Sequence, residues 1–112
     1  MTIAEYQKQV DVWIQSFGVR YFREETNMIL LMEEVGELGR LVARVYGEQS
    51  FKQEIPQTEM KEKLADEMAD ILFVLTCLSN QMDIDLESAI GRNMEKKTNR
   101  DKLRHKNNPK LK

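Results

Sequence analysis

LLMEEVGELGRL (residues 30–41) and LADEMADILFVL (residues 64–75) share one anomaly: acids stand where an amphipathic helix carries leucines. At about 100° per residue, with Glu34 at zero, Leu30, Leu38, Leu41 and Val45 fall within about 40° and Leu31 about 60° away. Glu34 thus lies on the midline of an apolar stripe, with Glu37 about 60° to one side. With Glu67 at zero on the second stretch, Met60, Ile71, Val74 and Leu78 fall within about 40°. Asp70 lies about 60° off, on the same side as Glu37. Two helices therefore present the same apolar face, each with an acid pair in its middle.

A carboxylate on a core-facing stripe is costly unless it is paired, hydrogen-bonded or bound to metal. Glu-x-x-Glu alone is common on solvated helices and carries little meaning. It is the second pair, matched in phase and in apolar flank, that calls for an explanation. Residues at i and i+3 share a helix surface, so each pair can converge on one point. If the two helices pack antiparallel, both pairs can face one cavity and hold one or two divalent cations. An all-oxygen ligand set favours Mg²⁺ or Mn²⁺ over zinc or copper. A di-iron bundle also carries internal acids but uses Glu-x-x-His pairs, and the only histidine here is His105, far along the chain. Glu33 lies about 100° from Glu34. It reads as a solvated acid or as a base standing behind the ligands.

Four helices are expected along the chain, with no sheet, because no stretch alternates convincingly between apolar and polar residues. Thr2-Ile3-Ala4-Glu5 has the form of a capping box, so a helix should begin there and run to Gly18. Ile3, Tyr6, Val10, Trp13, Ile14 and Phe17 recur on it at helical spacing. A polar link (Arg20 to Thr26) precedes a second helix from about Asn27 to Tyr46, closed by Gly47. After a loop containing Pro56, Thr58 opens a third helix reaching about Met82. Asp83 or Asp85 caps a fourth, with Leu86, Ala89, Ile90, Met94 and Lys97 on one side. The expected architecture is an all-α, four-helix-bundle-like domain over residues 1–104, followed by a flexible basic tail, 105–112.

At 112 residues one such domain has a modest core, and pairing with further copies is a common remedy. No apolar run approaches the roughly 18 residues of a membrane span. The N-terminus lacks the basic-then-apolar layout of a signal peptide. The single cysteine, Cys77, sits in ILFVLTCL and reads as a buried thiol in a reducing, cytoplasmic setting. Residues 1–95 carry 18 acids against 9 bases, and residues 96–112 carry 8 bases against one acid. Such an acidic body with a basic end suits a metal-and-phosphate enzyme or a nucleic-acid arm. The acidic body and the lack of aromatics in the tail argue against nucleic acid.

MEEVGELGRL and KLADEMADILFVL resemble the Glu-Glu-x-x-Glu and Glu-x-x-Asp halves of MazG-like nucleotide pyrophosphohydrolases, closest to the short single-domain YpjD-like branch. The likeness extends through VDVWIQSFGVRYF, LVARVYGE, LTCLSNQMDIDLESAI and MEKKTNRDKLR. It implies an all-α fold that assembles as a homodimer or homotetramer. It also implies hydrolysis of nucleoside triphosphates to monophosphate and pyrophosphate, in the service of nucleotide-pool house-cleaning. Carried over, Glu34, Glu37, Glu67 and Asp70 would hold Mg²⁺ (with Mn²⁺ as substitute). Triphosphate hydrolysis also needs a base for the attacking water, and Glu37, or Glu33 behind it, is the candidate. Lys96 and Arg100, with Lys97, would meet the phosphates, and Trp13 either stacks on the base or belongs to the helix-one core. The competing reading is a non-catalytic helical dimerisation or adaptor module whose acid pairs are incidental.

Overall fold

Helix-favouring runs dominate the sequence, and the described chain is helical nearly throughout. A computed structural model describes residues 1–51 and 54–111. Its long elements are α1 (Ile3–Trp13), α2 (Glu24–Tyr46), α3 (Gln57–Gln81) and α4 (Leu86–Asp101), and among the described residues there is no strand. The expected all-α class and its four helices are present. Lys52 and Gln53 of the α2–α3 loop, and Lys112 of the tail, lie outside the described residues.

Local chemistry explains most helix ends. The Thr2 hydroxyl oxygen accepts the Glu5 backbone N–H at 3.0 Å and donates to Glu5 Oε1 at 3.1 Å. The capping box is therefore closed by a side-chain bond, not by the return bond to the backbone. Asp85, not Asp83, caps α4, accepting the Ser88 N–H. Asp83 instead takes a left-handed conformation, φ 58°, in the tight α3–α4 turn, as a short polar side chain can. Gly47 closes α2 as expected. A Cβ there would stand 2.5 Å from the Ala43 carbonyl oxygen.

Three boundaries depart from expectation. The first helix leaves α geometry at Ile14 and finishes as a π-helical turn to Gly18. Val19 follows at φ 71°, a strained conformation for a β-branched residue. Second, α2 starts at Glu24, one turn before Asn27, so part of the presumed link is helix. Buried Asn27 donates to Gln81 Oε1 at 2.7 Å, and Gln81 Nε2 donates to Phe22 O and to Glu24 Oε1. Third, α3 begins at Gln57 behind Pro56, with Thr58 inside the helix and no side-chain cap.

The same Asn27–Gln81 bond fixes how α2 and α3 pack. It joins the start of one helix to the end of the other, while Val45 and Tyr46 line one cavity with Met60 and Leu64 at the opposite end. The two helices are therefore antiparallel. α1 lies along α3, with Val10, Ile14 and Cys77 forming a small core flanked by Tyr6, Tyr21 and Phe73. Gln7 ties α1 to the α3–α4 turn. Its amide donates to Asn80 Oδ1 and the Ile84 carbonyl, and its Oε1 accepts the Leu86 N–H. Asn80 also holds the turn, its amide donating to the Gln7 carbonyl and the Tyr21 hydroxyl. Cys77 is buried, as its apolar setting required. α4 packs on α1, and beyond it residues 102–107 turn into a short 3₁₀ segment, Pro109–Leu111.

This arrangement leaves much apolar surface uncovered. The Cα radius of gyration is 18.0 Å, against about 13 Å for a compact chain of this length. Solvent-accessible area is 9125 Å² for 13.2 kDa, where a compact monomer exposes about 6,400 Å². Met28, Met32, Val35, Val42 and Tyr46 of α2 are exposed, as are Met68, Leu72 and Leu75 of α3. They recur at the alternating three- and four-residue spacing of a coiled-coil seam. So each central helix has two apolar faces. One meets the other helix and holds the acids; the second is bare.

Candidate metal centre

Antiparallel packing with matched phase brings the two acid pairs together midway along α2 and α3. Glu34, Glu67 and Asp70 each offer a carboxylate oxygen to one spot, the three lying within 4.8 Å of one another. Glu34 and Glu67 are partly buried. Glu34 Oε2 and Glu67 Oε2 are both shielded from solvent and lack a hydrogen-bond partner among the described residues. Two orphaned acceptors of like charge, side by side, are unfavourable unless a cation or a proton lies between them. With only oxygen donors, a hard divalent cation fits the set.

The carboxyl energetics point the same way. The Glu34 carboxyl, with which only a protonated Glu67 can share a hydrogen bond, then burial, then the neighbouring Glu37 carboxyl push the Glu67 carboxyl up to about 7 from its ordinary 4.5. Burial, with the charges of Asp66 and Glu37, raises Asp70 as well. Glu37 stands outside the three-oxygen group, and its charge raises both Glu67 and Asp70. Glu33 is exposed and is not among the grouped carboxylates, as its phase required.

A pH dependence follows. A carboxyl whose folded-state pKa exceeds its unfolded value binds extra protons in the folded protein. Its contribution to stability is full below the unfolded pKa, 4.5, and is lost as pH rises through about 7. The metal-free protein should therefore melt at progressively lower temperature between about pH 5 and about pH 8, and Mg²⁺ should flatten that decline because it replaces the proton. Thermal melts across this range, with and without Mg²⁺, check it. A metal-free profile that is flat or rising would contradict the cluster's energetics.

Two cavities flank the acids along the helix pair. Toward the start of α2, a largely apolar cavity of about 280 Å³ is lined by Trp13, Tyr21, Phe22, Asn27, Leu30 and Phe73, among others. Leu30 sits one turn before Glu34. Trp13 meets the Phe73 ring edge-to-face at 5.7 Å and is 49% exposed, so it forms a cavity wall, not the interior expected for the helix-one stripe. In the other direction, a cleft of about 340 Å³ opens directly from Glu37 and Glu67, walled by Arg40, Arg44, Lys63 and Phe51.

The cations of the cleft were not singled out from sequence, although their spacing held the signal. Arg40 and Arg44 follow Glu37 by three and seven residues, and Lys63 precedes Glu67 by four. All share a helix side with the acids. By contrast, Lys96, Lys97 and Arg100 are exposed on α4, the helix that packs on α1, and none of them lines this cleft. Arg100 forms a two-point pair with Asp101, at 3.1 and 2.9 Å. Arg104 approaches the same carboxylate at 3.6 Å.

Residues 22–105 match the family model described as the MazG nucleotide pyrophosphohydrolase domain. YpjD of Bacillus subtilis is 43% identical over 92% of this chain and 89% of its own, and YvdC of the same organism is 28% identical over 89% and 96%. The crystal structure of B. subtilis YpjD superposes with a TM-score of 0.75 at 40% identity, covering 90% of this chain and 97% of that one. The Bacillus-conserved MazG protein, a nucleotide pyrophosphohydrolase, superposes at 0.70 with 36% identity, covering 86% and 88%. Paired acids on antiparallel helices, a matching domain over most of the length and two like structures agree: the chain belongs to the MazG nucleotide pyrophosphohydrolase family and is a hydrolase of nucleotide phosphoanhydrides.

Proposed function

We propose that this enzyme is a Mg²⁺-dependent nucleoside triphosphate pyrophosphohydrolase, releasing monophosphate and pyrophosphate in cytoplasmic nucleotide-pool house-cleaning. The observation that carries the metal dependence is the pair of buried, partnerless oxygens on Glu34 and Glu67. Glu34, Glu37, Glu67 and Asp70 hold the ion, and Mn²⁺ substitutes for it. When bound, Mg²⁺ supplies positive charge against the phosphates and lowers the pKa of a nearby water. Glu37, at the mouth of the cationic cleft, accepts that water's proton as oxygen attacks the α-phosphorus and the bond to the bridging oxygen breaks. Glu33 is the reserve for this role, one residue from the ligands. Trp13, with Tyr21 and Phe22 around it, offers a base the amphipathic surface that stacking uses.

The protein works as a homodimer or homotetramer, since the exposed α2 and α3 seams are unfinished in one copy. Assembly is also the route by which Lys96, Lys97 and Arg100 reach a nucleotide, because α4 stands apart from the acids of its own chain. The catalytic domain spans residues 1–104, and the tail 105–112 adds positive charge without a role in chemistry. No helix among the described residues is long and apolar enough to cross a membrane.

A screen of nucleoside triphosphates with Mg²⁺, following pyrophosphate and monophosphate together, tests the reading. Equimolar release of the two, abolished by chelator, is the expected result. Phosphate released singly, or turnover indifferent to chelator, would overturn it.

A further inference from the structure

We infer that Arg40, Arg44 and Lys63 form a subsite for the pyrophosphate end of the substrate, in the cleft that opens from Glu37 and Glu67. This rests on the reading of the acids as a metal site for a triphosphate, and it adds the direction in which the substrate lies.

Three observations carry the inference. The first is order along the helix pair. The aromatic cavity touches Leu30 on α2 and Phe73, Val74 and Cys77 on α3; the acids occupy Glu34, Glu37, Glu67 and Asp70; the cations follow at Arg40, Arg44 and Lys63. Because α2 and α3 are antiparallel, both helices give the same sequence of zones: aromatic, acidic, basic. A nucleoside triphosphate has the complementary order of base, α-phosphate and then the strongly anionic β- and γ-phosphates. The second is size. Glu37 to Arg44 spans about 10 Å of helix axis, and helical side chains lean toward the N-terminus, which brings Arg40 and Arg44 back over the cleft. Its volume of about 340 Å³ accommodates two phosphates with water.

The third observation is that these cations are not engaged elsewhere. No salt bridge within 4.0 Å involves Arg40, Arg44 or Lys63 among the described residues. The one side-chain bond of Arg44, to the Arg40 carbonyl at 3.2 Å, aligns its guanidinium along the helix without neutralising it. Lys63 stands beside Asp66 and Glu67 in the cleft wall yet pairs with neither. Arginine's planar fork suits bidentate phosphate recognition, and lysine adds a point charge. The subsite has a chemical consequence: it stabilises the leaving pyrophosphate as the bond to the α-phosphorus breaks, and afterwards retains that product.

The experiment compares the wild-type protein with Arg44→Gln and Lys63→Gln, and with Arg44→Lys as a conservative partner. With Mg²⁺ present, pyrophosphate and nucleoside monophosphate are each titrated in as inhibitors and as calorimetric ligands. Loss of a charged phosphate contact should weaken pyrophosphate on the order of tenfold or more. KM for triphosphate should rise similarly, with monophosphate binding and the Mg²⁺-induced rise in melting temperature unchanged. Arg44→Lys should recover part of the loss. Unchanged pyrophosphate binding, or equal weakening of monophosphate and pyrophosphate, would overturn the subsite. Absence of triphosphate hydrolysis in the wild type would instead overturn the activity reading, while direct pyrophosphate titration still reads the subsite.

Discussion

Glu67→Gln is expected to eliminate nucleotide hydrolysis while making the metal-free protein more stable. The substitution keeps size and shape and removes one charge from a group of four. A Gln amide can donate to the Glu34 oxygen that now has no partner, so a repulsive contact becomes a hydrogen bond. Two unit charges about 4 Å apart repel by about 1 kcal/mol even in water. In a domain of this size, about 1 kcal/mol moves Tm by roughly 4–8 °C. Metal binding suffers the opposite fate, because a neutral amide is a poor exchange for a carboxylate ligand. Turnover should fall by at least 10²- to 10³-fold, the scale on which a fixed group opposing transition-state charge is felt. Glu34→Gln should behave alike. Melting curves with and without Mg²⁺, beside steady-state rates, read both effects. A variant that keeps wild-type turnover, or that loses metal-free stability, would contradict the assignment.

The second large effect concerns assembly. Leu72→Glu should convert the protein to a poorly stable monomer. Leu72 is 54% exposed in the single chain and lies between Met68 and Leu75 on the bare α3 seam, with Met32 and Val35 on the matching face of α2. The chain exposes 9125 Å², about 2,700 Å² more than a compact protein of its mass. Covering that excess places the interface in the obligate class. Inside it, an unpaired glutamate costs several kcal/mol, a large share of a small domain's stability. Light scattering should show an oligomer for the wild type, with a melting temperature that rises with concentration, and a monomer for the variant. A wild-type protein monomeric at micromolar concentration, with an invariant melting temperature, would remove this part of the account.

Sequence reading found the acid pairs because their phase conflicts with their chemistry. A glutamate on the midline between Leu30 and Leu38 is visible without coordinates. It was less able to say which face meets which helix. α2 has two apolar faces, and the stripe pattern alone does not tell the one against α3 from the bare one. The start of α2 was misplaced by a turn because Arg23-Glu24-Glu25 looks like a polar link. Its acids in fact sit at a helix N-terminus, where the dipole favours them, and Asn27–Gln81 and Glu24–Gln81 bonds hold that end. The π-helical turn before Val19 has no signature in the residues themselves. Arg40, Arg44 and Lys63 were passed over because a helix so rich in charge offers many cations, and only the antiparallel register sets these beside Glu37 and Glu67. The basic cluster of α4 drew notice by its density, yet within one chain it is exposed on a helix that packs on α1 and not beside the acids, a long-range placement that periodicity does not encode.

The central claim is that Glu34, Glu67 and Asp70, with Glu37 beside them, share a hard cation. Diffraction from crystals grown with Mn²⁺, at a wavelength where manganese scatters anomalously, tests it directly. An anomalous peak is expected between these carboxylates, lost in Glu67→Gln. Manganese bound only elsewhere, with the four side chains unchanged around empty density, would contradict it.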